Sequence, residues 1–338
     1  MYVADGHITF DEPGGGADTI FNGGWITPGL VDAHAHLPMA SPAGEDATEE
    51  ERVRASLGAH LDAGVLVVRE PGAPSHASAH VHDDRLPHVR SAGRFIAPVG
   101  RYFAGLAREI DPSDLARAVT EEAAVGGGWV KIIGDFFEEG GPTEPNWTGA
   151  QFAIAADAAH AAGARIAVHA TCTEAIGFAV DAGFDTIEHG HGMTTELVQA
   201  MADAGTAYTP TMSIGRPLRK FFATMPPAAV ARNNALLDAQ PSMVAAAARA
   251  GVTLLAGTDA GMVPHGVVAG EVDLMLTAGV APEVALGAAS WAAREYLGYQ
   301  GVEEGAPADI VVFADDPRRE LRPPALVMLG GRVTKTAR

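Results

Sequence analysis

The chain has 338 residues, with 42 acidic against 23 basic side chains and a formal charge of −19. A 47% hydrophobic content supports a large packed core and excludes wholesale disorder. The acidic balance, without any Lys/Arg block, argues against a nucleic-acid or anionic-membrane partner. The lone cysteine, Cys172, excludes an internal disulfide. Neither a leader-like start nor a bilayer-length apolar run is seen, so the expectation is a soluble, cytoplasmic protein.

In chain order, Tyr2–Phe10 and Asp18–Trp25 read as short strands around a Gly14-Gly15-Gly16 turn. Eight further candidate strands follow: Leu30–His36, Val65–Arg69, Arg94–Val99, Trp129–Ile133, Arg165–His169, Asp185–His189, Thr206–Thr211 and Val252–Asp259. Helical segments ending in Ala-Gly precede many of them, as at Ala63-Gly64, Ala162-Gly163, Ala182-Gly183, Ala204-Gly205 and Ala250-Gly251. Thr48 with Glu51 and Thr171 with Glu174 fit capping boxes, and Asp111-Pro112 fits a helix start. Eight strands alternating with helices predict an α/β fold, a (β/α)8 TIM barrel over residues 28–301. A doubly wound open sheet is the alternative, but no Gly-x-Gly-x-x-Gly opens a helix after a strand. Asp309–Phe313 and Ala325–Lys335, with a Gly330-Gly331 turn, read as closing strands. Residues 1–27 and 302–338 are therefore expected to form a small β-sandwich domain.

Thirteen histidines are scattered along the chain, and most read as surface or packing residues. Four differ: His34 and His36 close the first strand, His169 the fifth and His189 the sixth, while Asp259 closes the eighth. Active sites of β/α barrels form at the carboxyl ends of their strands. Side chains two apart on a strand face the same way, so both imidazoles of His34-Ala35-His36 can reach one cation. Imidazoles with one carboxylate suit Zn²⁺ or another borderline divalent metal, whereas the bland reading makes them core histidines. Lys131, one of only three lysines, falls in the apolar run Trp129-Val130-Lys131-Ile132-Ile133. A desolvated lysine has a lowered pKa, and its neutral amine can take up CO2 as a carbamate able to bridge two cations. The bland alternative is snorkelling, or pairing with Asp135 or Glu70.

Thr27–His36, the lysine strand, Val168-His169-Ala170, Ile187-Glu188-His189-Gly190 and Ala256–Gly261 together resemble the amidohydrolase superfamily, nearest its prolidase-like and imidazolonepropionase-like branch. Gly305–Val312 and Val327–Val333 are similar to that family's closing β segment. The resemblance implies a binuclear centre. His34, His36 and Asp259 would bind the more buried metal, and His169 and His189 the more exposed one. Lys131, carboxylated by CO2, would bridge them. Two departures stand out: Arg69-Glu70 replaces the usual Arg-Asp, and the amino-terminal β segment is short.

The expected reaction is hydrolysis of a C–N amide bond in an N-acyl amino acid or dipeptide-like substrate. A water shared by two divalent cations, with its pKa lowered from 15.7 to roughly 7, would act as nucleophile, with Asp259 as general base and acid. Zn²⁺ is the first choice, and Mn²⁺, Fe²⁺ and Co²⁺ also suit the ligand set. Ester or lactone hydrolysis, mononuclear deamination and a non-catalytic relative remain alternatives. Arg101, Tyr102, His191, Tyr208 and His265 are candidate substrate contacts, Arg101 as a carboxylate anchor. Ser213–Pro227 reads as either a lid or a surface excursion. A small molecule is the expected partner, and a homo-oligomer stays open.

Overall fold

A computed structural model describes residues 1–137 and 141–336, so the last two residues of the expected carboxyl-terminal segment lie outside it. Leu30–Asp32, Val65–Glu70 and His88–Ser91 run parallel as the first three staves of a barrel. Trp129–Ile133, Arg165–Ala170, Thr186–His189 and Ala207–Thr209 continue it in parallel register. The eighth stave closes the ring by backbone bonds: Tyr208 N donates to Thr253 O, Leu255 N to Tyr208 O, and Ala33 N to Ala256 O. An aliphatic core of Leu30, Val65, Val68, Val130, Ile132, Ile166, Val168 and Ile187 is fully buried, as expected for parallel strands covered by helices.

The Ala-Gly helix ends behave as expected. Gly64, Gly163, Gly183, Gly205 and Gly251 all adopt positive φ, which turns the chain from helix to strand without a Cβ penalty. Thr48 forms its capping box with Glu51, and Asp111 caps the turn at Pro112–Asp114. Thr171 does not cap: its hydroxyl and N–H go to Asp135, and the helix starts at Thr173 behind Cys172.

Two strands depart from the reading. The third stave is His88–Ser91, and its continuation Ile96–Pro98 pairs with Arg108–Ile110 and touches the fourth stave at Ile132. Polar residues before Arg94 hid its start. At the amino terminus the turn lies at Asp5-Gly6, both at positive φ, joining Tyr2–Ala4 to His7–Thr9. The Gly14–Gly16 segment joins no strands. Instead Trp25–Pro28 pairs antiparallel with Ile310–Phe313, which continues through Leu326–Leu329 to Arg332–Thr336. Ile8 from the hairpin packs on Ile310, Val312, Leu326 and Met328. The architecture is a β/α barrel with a small β unit drawn from both chain ends.

Among the described residues, no helix is long and apolar enough to cross a membrane.

Candidate metal centre and active site

The carboxyl ends of the staves bring His34, His36, Lys131, His169, His189 and Asp259 to one mouth. The ligating atoms of His34, His189 and Asp259 all lie within 4.8 Å of one another. His36 Nε2 is 3.2 Å and His34 Nε2 3.5 Å from Asp259 Oδ1. The His169 and His189 rings lie 4.6 Å apart, and His169 Nε2 is 3.6 Å from Asp135. Lys131 is 1% exposed, and among the described residues it pairs with neither Asp135 nor Glu70. Glu70 instead accepts from Leu37 N, Ser78 and Ser91.

Hydrogen bonds orient the first two histidines. His34 donates from Nδ1 to Glu188 at 2.6 Å, and His36 from Nδ1 to the Gly72 carbonyl at 2.7 Å. Both acceptors lack protons, so in the neutral rings Nε2 carries the lone pair. Burial holds His34 at a pKa of about 4, with the neighbouring Lys131 adding to the effect. His34 Nε2 is buried without a hydrogen-bond partner. The unpartnered Nε2 of His34 thus faces the Asp259 carboxylate beside Nε2 of His36, an arrangement a divalent cation would satisfy. Burial also drives His169 and His189 well below the usual histidine range, keeping them neutral donors. The donor set fits a metal.

The supports beneath these groups were not legible in sequence. Arg69, fully buried, donates to both oxygens of Glu188 at 2.7 Å, to Thr209 and to the Ala33 carbonyl. Burial raises the Glu188 carboxyl, but Arg69 and the His34 hydrogen bond outweigh it and hold the group well below its usual range. Asp32 accepts from Thr258 N and Oγ1, tying the first stave to the eighth beside Asp259. Arg69 stands in an apolar strand just as Lys131 does, and the same cost of an unpaired buried charge points to it.

Backbone strain collects here as well. His189 and Asp259 have φ of +68° and +55°, in a region costing non-glycine residues about 1–3 kcal/mol. After His189, Gly190 is at φ +60°, and a Cβ there would meet the Tyr208 ring at 2.6 Å.

The expected substrate contacts divide. Tyr102 and His191 line a cavity of about 350 Å³ above the candidate metal ligands, and His191 Nε2 is buried without a partner. Tyr208 does not reach that cavity, because its hydroxyl is turned to the His189 carbonyl at 3.0 Å. His265 is likewise absent from the lining, held between His60 at 3.2 Å and the Met39 carbonyl at 2.9 Å. Arg101 is also outside the lining, with Nε donating to Asn146 at 3.0 Å. Ser213–Pro227 does cover the mouth: Ile214, Leu218, Phe221 and Phe222 from Met212–Ile214 and Gly215–Phe222 face the cavity.

Fold and site together define a β/α-barrel enzyme with a candidate metal-ligating cluster at the carboxyl ends of its strands. Residues 25–337 match the model of the amidohydrolase family, and the chain belongs to that family. It is a metal-dependent hydrolase. It is 39% identical to an uncharacterized protein of Mycobacterium tuberculosis (strain ATCC 25618 / H37Rv), over 98% of this chain and 91% of that one. Among solved structures, an amidohydrolase superposes with a TM-score of 0.82 at 22% identity, covering 99% of this chain and 94% of its own. A Xaa-Pro dipeptidase with bound methionine in its active site gives 0.78 at 23% identity, covering 92% and 86%. At those identities the likeness is one of fold.

Proposed function

We propose that the chain hydrolyses a carbon–nitrogen amide bond, with His34, His36, His169, His189, Asp259 and a carboxylated Lys131 holding two divalent cations, Zn²⁺ the first choice. The observation that carries this reading is the unpartnered, buried Nε2 of His34 facing the Asp259 carboxylate. Cations bound there supply Lewis-acid polarisation of a carbonyl and lower the pKa of water from 15.7 to roughly 7.

Lys131 supports the pair of sites. Burial brings its ammonium down to about 8, so a share of the amine is neutral near neutral pH. That amine can add to CO2, forming an N–C bond and releasing one proton. Asp259 is suited to move a proton. Burial raises its carboxyl, but His34 and His36 outweigh that and keep it ionised. Its Oδ1 faces His34 and His36, while Oδ2 lies 3.9 Å from His189 Nδ1 with no hydrogen-bond donor among the described residues. Oδ2 is then the oxygen that accepts a proton from the attacking water and returns it to the departing amine.

A screen of metal-reconstituted protein over amides, esters and amino-heterocycles tests the reading. Release of an amine and an acid is expected. Ammonia as the sole amine product, or ester cleavage alone, would replace it with the deaminase or esterase alternative.

A further inference from the structure

The cavity above the candidate metal ligands is walled by rings contributed from three separate places: Phe103 after the third stave, Phe136 and Phe137 after the fourth, and Phe221 and Phe222 on the helix Gly215–Phe222. The rings touch across the mouth, with centroids 5.3 Å apart for Phe103–Phe136, 5.9 Å for Phe137–Phe221 and 6.3 Å for Phe103–Phe221. Phe103 and Phe221 are 44% and 37% exposed, large apolar groups left for a ligand to cover.

Charge is distributed the opposite way. Leu218, Phe221 and Phe222 turn inward, whereas Arg216, Arg219 and Lys220 of the same helix are exposed, Arg219 on Asp238 at 2.6 Å. The described lining contains no arginine and a single lysine, Lys131, together with the carboxylates Asp135 and Asp259. A substrate carboxylate laid against this wall would lose its water without gaining a cationic partner, a costly exchange. A neutral aromatic group there gains ring contacts and apolar burial.

We infer that this wall is a specificity pocket for an uncharged aromatic group of the substrate, with Phe103, Phe137 and Phe221 as its determinants, and that it disfavours a free carboxylate. The bond cleaved rests on the amide reading above; the preference of the pocket does not.

The test uses the full metal-reconstituted chain with benzanilide, N-methylacetamide and benzanilide carrying a para-carboxylate on both rings. Benzanilide should exceed N-methylacetamide and the dicarboxylated form in kcat/KM by at least about 10-fold, the discrimination an apolar pocket affords. In parallel, calorimetry on metal-free protein should show benzanilide binding, weakened about 10-fold by Phe221→Ala or Phe103→Ala and less by Phe221→Leu. Binding without hydrolysis would overturn the amide reading while supporting the pocket. Equal or better turnover or binding of the dicarboxylated form, absence of benzanilide binding, or binding indifferent to Phe221→Ala and Phe103→Ala would overturn the inference.

Discussion

Removing one charge beneath the site, by Glu188→Gln, should affect stability and metal affinity together. Glu188 is fully buried, takes both Arg69 contacts at 2.7 Å and orients His34 through a 2.6 Å bond. The amide keeps an acceptor for His34 but leaves the Arg69 guanidinium without a counter-charge. Breaking one side of a buried pair costs about 3–5 kcal/mol. Loss of the carboxylate behind a ligating histidine lowers metal affinity by about 10–100-fold. Denaturant unfolding of metal-free protein reads the first effect, and competition with a chelator reads the second. Arg69→Met combined with Glu188→Gln should cost less than the sum of the singles by about 0.5–3 kcal/mol, because the orphaned charge disappears. Strict additivity, or a Glu188→Gln protein with wild-type stability and metal affinity, would refute the reasoning.

Four further outcomes follow from particular contacts. Lys131→Met should leave metal-free stability unchanged or raised while metal content per chain falls, and ¹³CO2 labelling should lose its carbamate signal. Asp259→Asn should lower kcat by about 10²–10⁴-fold, measured on metal-loaded protein. Gly190→Ala should destabilise by about 1–3 kcal/mol in denaturant titration, since its Cβ would lie 2.6 Å from the Tyr208 ring. Glu271, which clasps Met212 N and Ser213 N at the root of the covering helix, is raised by burial to about 7 from an ordinary 4.5. Its protonated form is favoured in the folded state, so its contribution is full below about 4.5 and lost as pH rises through about 7. The stability of wild type relative to Glu271→Gln should therefore fall between pH 5 and pH 8.

Residue type and local spacing were enough to place the barrel strands and the ligand candidates. Parallel buried strands are apolar runs, so His34, His36, Lys131, His169, His189 and Asp259 stood out at or within them. Glycine after five of the helices marked where strands begin, because glycine enters the left-handed turn cheaply. The start of the third stave escaped because His88–Ser91 is polar, although Ile96–Pro98 falls within Arg94–Val99; the amino-terminal strand escaped because it pairs with residues almost 300 positions away.

Tertiary structure alone decided the rest. The Arg69–Glu188 pair spans 119 residues and Asp32–Thr258 spans 226, separations that no local period encodes; they exist because the barrel closes. Closure also sets which imidazole nitrogens carry protons, by putting Glu188 and the Gly72 carbonyl behind the rings. It turns Tyr208 and His265 away from the cavity, and gathers phenylalanines from three separate segments into one wall. A strand's composition reports that a side chain is buried, but its partner is chosen by chain crossings far away in sequence.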